Sequence, residues 1–267
     1  MAKITTRTRE EFEAACESYR LKIKSINEKE KSVLAEILKD STGAEHKKLV
    51  LVDDMLNAAS LYIAINGLSE TILDTKNNEA LNEARKILYK AVIYLEEVLS
   101  PIVDAPFSDY EERLAVVADT PIEKRYYLVR KLGLAIRLMS DAFGANSKWR
   151  WSFVELQGRY SAVAKNFLDM KQVGREYYDP NTKDYEIVVS YTRLVKKLLD
   201  RSASEFRDKY ELSSRRLDDM RAAINFLSAL RRISLVLNER DEAEDIKKKA
   251  AVWKEKMDKD QKEGTSN

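Results

Sequence analysis

The sequence predicts an all-α protein of about seven amphipathic helices, most of them long, packed as antiparallel αα-hairpins in a bundle or a short helical array. Three observations predict it. Apolar residues recur at three- and four-residue steps through most of the chain, the period of one helix face. The 267 residues include only 7 glycines and 4 prolines, too few for the frequent turns of a sheet-rich fold. Charged residues make up 34% and hydrophobic residues 44%, enough to give each helix a solvated face and an apolar one.

The first helix is predicted over residues 9–39. Thr8 and Glu11 have capping-box spacing, and Phe12, Cys16, Tyr19, Ile23, Ile26, Val33 and Ile37 form a heptad seam with Glu30 in its one gap. A second helix over 45–73 carries Val52, Met55, Ala59, Tyr62, Asn66 and Ser69 on one stripe, flanked by Leu56, Ile63 and Ile72. A third over 79–99 repeats the spacing with Leu81, Ala84, Leu88, Ala91, Leu95 and Val98. Pro101 and Pro106 then break regular structure, with a short helix at 109–118.

Thr120-Pro121-Ile122-Glu123 is a helix start: a capping residue, proline in the first turn and an acid in the third position. That helix runs to Phe143, where Gly144 supplies a stop. Asn146 or Ser147 opens the next, which holds the best heptad run of the chain: Trp149, Phe153, Leu156, Tyr160, Val163, Phe167 and Met170. Asp179-Pro180-Asn181 reads as a turn. A helix over 184–210 points Val188, Tyr191, Val195, Leu198 and Phe206 inward. The one over 214–237 has two adjacent apolar stripes, so it is expected to be an inner helix covered on more than one side. The last starts at Asp241 with Ile246, Ala250, Trp253 and Met257, and 259–267 reads as a disordered polar tail.

Read as domains, residues 1–100 form an N-terminal helical hairpin region, 101–120 a proline-containing connector and 121–258 a C-terminal helical region. One continuous domain is the alternative. There is no clean repeat period. The segment Asn238-Glu239-Arg240-Asp241-Glu242-Ala243 resembles the inter-helix turn of tetratricopeptide repeats over one hairpin, an extent that assigns no family.

Several function classes lose support. The net charge of +2 gives no global field toward nucleic acid or acidic membranes. No run approaches the roughly 18 apolar residues of a membrane span. The polar first nine residues lack a secretory apolar stretch, and the single Cys16 forms no internal disulfide. The chain is therefore expected in the cytoplasm, with export open if it is a mature form. No metal and no cofactor are expected. The only histidine, His46, has no orienting partner by spacing, and Cys16 sits on a seam where it packs as a small apolar residue. Residues 179–186 look like the start of a calcium loop, but Asp184 and Ser190 occupy the positions that need glycine and glutamate. Glu96-Glu97 and Glu111-Glu112 read as solvated helix faces, and no glycine-rich phosphate loop is present.

Two features stand out. Residues 77–119 carry four basic and nine acidic side chains, and residues 120–175 eleven basic and four acidic. Compensation between the segments is the plainer meaning; a basic surface for an acidic partner is the other. Lys148-Trp149-Arg150-Trp151 also places two tryptophans about 200° apart on a helix, so Trp151 cannot share the seam with Trp149. It meets a second neighbour or forms an exposed anchor.

The leading expectation is a non-enzymatic protein–protein interaction, scaffold or assembly protein, with self-association or a filament role compatible with the heptads. Lys148, Arg150 and Trp151, with Lys124 and Arg125, are the candidate partner-binding residues. The alternative is nucleic-acid binding through residues 120–175, marked by steep salt dependence. The third is a helical enzyme without a local motif, marked by a deep pocket with shifted carboxylates or lysines.

Overall fold

The computed structural model describes residues 5–144 and 147–265, the last three by backbone alone. Among the described residues 83% are helical and none is in a strand. Ten α-helices are present there, against about seven expected: α1 Thr6–Lys39, α2 Ala44–Leu73, α3 Asn78–Val98, α4 Glu111–Val116, α5 Ile122–Phe143, α6 Arg150–Asn166, α7 Met170–Glu176, α8 Tyr185–Lys209, α9 Leu217–Val236 and α10 Arg240–Thr265. Two of the ten, α4 and α7, are pieces of 6 and 7 residues. The chain forms two compact units. One is Met1–Val98 with Arg130–Arg150, the other Leu99–Val129 with Trp151–Asn267.

In the first unit α2 is the inner helix, packed against both α1 and α3. It starts from Gly43, whose φ of +66° suits a residue without a Cβ. α1 starts three residues before its expected position. Its capping box joins Thr5 and Thr8: each backbone N–H donates to the other's hydroxyl, at 3.2 and 3.0 Å. A threonine hydroxyl fills the role expected of Glu11. Phe12, Cys16 and Ile23 bury the α1 seam against Ile65 and Ala80. α2 is also the one helix among the described residues whose length and composition would suit a membrane crossing. Half of that stretch is buried inside the protein, as for a core helix.

In the second unit, residues 99–121 form a strap that, outside α4, is held largely by side chains. Asn166 Nδ2 donates to Ser100 O and Ile102 O at 2.7 and 3.1 Å, and Lys165 Nζ donates to Ala105 O at 2.7 Å. Arg113 donates to Leu99 O, and Arg125 to Val117 O and Thr120 O. Buried carbonyls need such partners wherever helix and sheet ladders are missing. The single helix expected through Trp149–Met170 is corrected. α6 ends at Asn166 and α7 begins afresh, with Asp169 accepting from Lys171 N and Gln172 N at 2.8 and 3.2 Å. Phe167 and Met170 are buried all the same, because the period reports burial and does not require an unbroken helix.

α9 packs against α7, α8 and α10 and is an inner helix. Five residues in π geometry, Tyr210–Ser214, join α8 to α9, and Arg215 closes that turn at φ +52°. α10 continues to Thr265, through most of the stretch from residue 259 expected as a polar tail. Met257 is buried, and Tyr210 Oη donates to the Asp260 carboxylate. Residues 266 and 267 of that tail lie outside the described residues, as does Asn146.

Candidate interaction surface

α5 is one continuous helix whose first residues belong to the second unit and whose remainder belongs to the first. Its inner stripe is Ile122, Arg125, Val129, Leu132, Ile136 and Met139, all buried. Leu134 and Leu138 lie on the opposite face and are 57% and 45% exposed. At 3.6 residues per turn, Arg130, Arg137 and Leu138 fall within about 60° of Leu134. This gives the first unit a face on which two exposed leucines lie beside two exposed arginines. Arg137 Nε lies 3.6 Å from Asp141 Oδ2 one turn on. Tyr127, 67% exposed, sits on the part of α5 that belongs to the second unit.

The five residues singled out by sequence are not gathered on one unit. Lys148 and Arg150 belong to the first, Trp151, Lys124 and Arg125 to the second. Lys148, Arg150 and Lys124 are exposed, and Trp151 is half-buried in the first turn of α6. Arg125 is corrected from a surface cation to a buried one. It is 6% exposed, with Nε donating to Thr120 O at 2.8 Å and Nη2 to Val117 O at 2.9 Å. Trp149 is not on a helical seam. It stands in the turn before α6, half-buried, with the Arg85 guanidinium 3.9 Å from its ring centroid and Lys148 Nζ at 5.3 Å. That is a cation–π clamp inside the first unit.

The basic excess of residues 120–175 is partly consumed within the protein. Arg125 and Lys165 are buried, Lys131 pairs with Asp53 at 2.6 Å, and Lys171 pairs with Glu111. Burial holds the Lys165 amine far down, at about 7, and Arg232 adds to the effect. Sequence reasoning missed Leu134 and Leu138, although their i, i+4 spacing on the face opposite the core stripe was a readable signal. It also missed Glu30, placed only as a gap in the seam. Glu30 is 5% exposed and accepts from Lys90 Nζ at 2.9 Å and from Tyr94 Oη. Burial, then the bond to Glu30, pushes the Tyr94 hydroxyl up. Cys16 is fully buried, and burial raises its thiol. His46 is half-buried in the first turn of α2. Among the described residues no three His, Cys, Asp or Glu side chains converge as a metal site would need.

These features define an all-α protein with an amphipathic, basic helix face on its first unit. The chain belongs to the TP0443 family, whose model matches residues 8–261. No curated protein matches it. A solved structure described as the DHF58 filament is similar at 13% identity and a TM-score of 0.35, covering 94% of this chain and 99% of that one.

Proposed function

We propose that the protein is a non-enzymatic interaction or assembly component of a reducing compartment such as the cytoplasm, binding an acidic amphipathic helix of a partner protein on the outer face of α5. The observation that carries this reading is the exposure of Leu134 and Leu138 beside Arg130 and Arg137 on one helix face. Apolar residues at i and i+4, flanked by cations, are what a helix with apolar anchors and acidic flanks would cover. Within each unit the long helices would run as antiparallel hairpins, giving α5 a rigid support. The short connections at 40–43 and 74–77, and the packing of α2 on both α1 and α3, favour that arrangement.

Two observations weigh against the other readings. The burial of Arg125 and Lys165 shrinks the basic surface available to a nucleic acid. Lys165, whose lowered amine would suit catalysis, is 3% exposed and engaged with a backbone carbonyl.

The test compares the full-length protein with the double variant Leu134→Glu and Leu138→Glu in capture from native lysate, with and without nuclease. Both positions are exposed, so the variant should keep its melting temperature. A stoichiometric partner that survives nuclease and is lost at least tenfold with the variant is the expected result. Equal capture by the variant, or material released by nuclease, rejects the reading.

A further inference from the structure

We propose that a groove of the second unit, between α4, the start of α5 and α7, binds a small monocarboxylate with an apolar substituent through the Arg125 guanidinium. The groove encloses about 320 Å³, at the small end of ligand sites. Arg125 lines it while being 6% exposed. Both hydrogen-bond acceptors of Arg125 are neutral carbonyls, and no carboxylate forms an ion pair with it among the described residues. The Phe167 ring, 5.4 Å from the guanidinium carbon, offers only a partial counter-charge. A guanidinium cannot escape this setting by losing its proton, so a buried positive charge remains with donor capacity to spare.

The carboxylates of the groove are already engaged. Glu111 pairs with Lys171, Asp169 caps α7 through two backbone N–H groups, and Asp184 lies 3.5 Å from Gln172 Nε2. Asp169 and Asp119 act on the Arg125 guanidinium only from a distance, so among the described residues no carboxylate touches it in a groove that also carries negative charge. A dianion such as phosphate is thereby disfavoured and a monoanion suited. A carboxylate also matches the planar fork of arginine. Phe107, Leu114 and Ile122 form apolar walls for an alkyl or aryl group. Two sources share this chemistry: a free organic acid and the C-terminal carboxylate of a peptide.

The experiment is calorimetric titration of the full chain with butyrate, benzoate, N-acetyl-leucine and inorganic phosphate, repeated on Ala115→Trp and Arg125→Gln. Ala115 is exposed and lines the groove, so tryptophan there blocks the space without entering the core. Saturable one-site binding of a carboxylate is expected, at least tenfold tighter than phosphate. Ala115→Trp is expected to weaken it at least tenfold at an unchanged melting temperature. Arg125→Gln should abolish it; if that variant fails to fold, Ala115→Trp still decides. Tightest binding by N-acetyl-leucine assigns the source to a peptide C-terminus, and tightest binding by butyrate or benzoate to a free acid. No saturation by any carboxylate, phosphate as the tightest ligand, or full binding by Ala115→Trp overturns the proposal.

Discussion

Glu30 and Lys165 are both buried charged side chains, and they meet burial in opposite ways. Glu30 accepts from Lys90 and Tyr94, two residues that α3 brings to α1. Truncating it would leave the Tyr94 hydroxyl without its acceptor. We expect Glu30→Ala to cost about 1–3 kcal/mol in urea unfolding, discounted because Lys90 is partly exposed. Glu30→Met, which fills the same space, should recover part of that loss. Among the described residues no carboxylate pairs with Lys165. Its neighbours are Arg232, which lowers its amine, and Asp104 and Asp109, which raise it less than burial depresses it. The folded amine titrates near 7 and an unfolded one near 10.5, so between pH 7 and 9 the unfolded chain holds the extra proton. Stability therefore rises with pH in that window, by about 1–2 kcal/mol. Urea midpoints at pH 7, 8 and 9 should climb for the native protein and stay flatter for Lys165→Met; parallel curves would show that Lys165 is not the source.

At the scale of helices, the apolar period was legible and the breaks were not. Trp149, Phe153, Leu156, Tyr160, Val163, Phe167 and Met170 keep one register, yet the helix stops at Asn166. At the break Lys165 and Asn166 reach strap carbonyls about 60 residues away, a pairing that no local rule announces, and Asp169 caps the next helix. Arg125 was legible in principle. It falls in the run Ile122, Arg125, Val129, Leu132, where the period alone predicts burial, but its charge made it look like surface. Glycine 158 shows how closely α6 meets its neighbours: a Cβ there would stand 2.5 Å from Phe206 Cε2 and 3.1 Å from Phe226 Cζ. Those two rings already touch, tilted by 39° with 5.4 Å between centroids. Alanine gains roughly 1 kcal/mol in helix propensity, while displacing the rings costs about 1–3 kcal/mol. Gly158→Ala should therefore lower the melting temperature slightly, and a rise would show that the rings move freely.

The composition of the whole chain announced helices, but it could not announce how the chain is shared between two units. The backbone passes from one to the other near residues 98, 129 and 150, and each passage depends on contacts that no local pattern encodes. One consequence follows from α5. Ile122, Arg125 and Val129 are buried in the second unit, and Leu132, Ile136 and Met139 in the first, along one unbroken helix. A break in the middle of α5 removes a fixed element from both cores at once. Arg130 is exposed and lies at the passage, so Arg130→Pro places the break there. It removes a helical hydrogen bond and crowds the preceding turn, at a cost of about 3 kcal/mol. Amide hydrogen exchange followed by segment is the suitable readout, because it reports local and global opening separately. If α5 ties the units together energetically, protection should fall by a similar factor in α2 and in α8. A loss confined to one of those helices would mean that the units open independently and that α5 can fray between them.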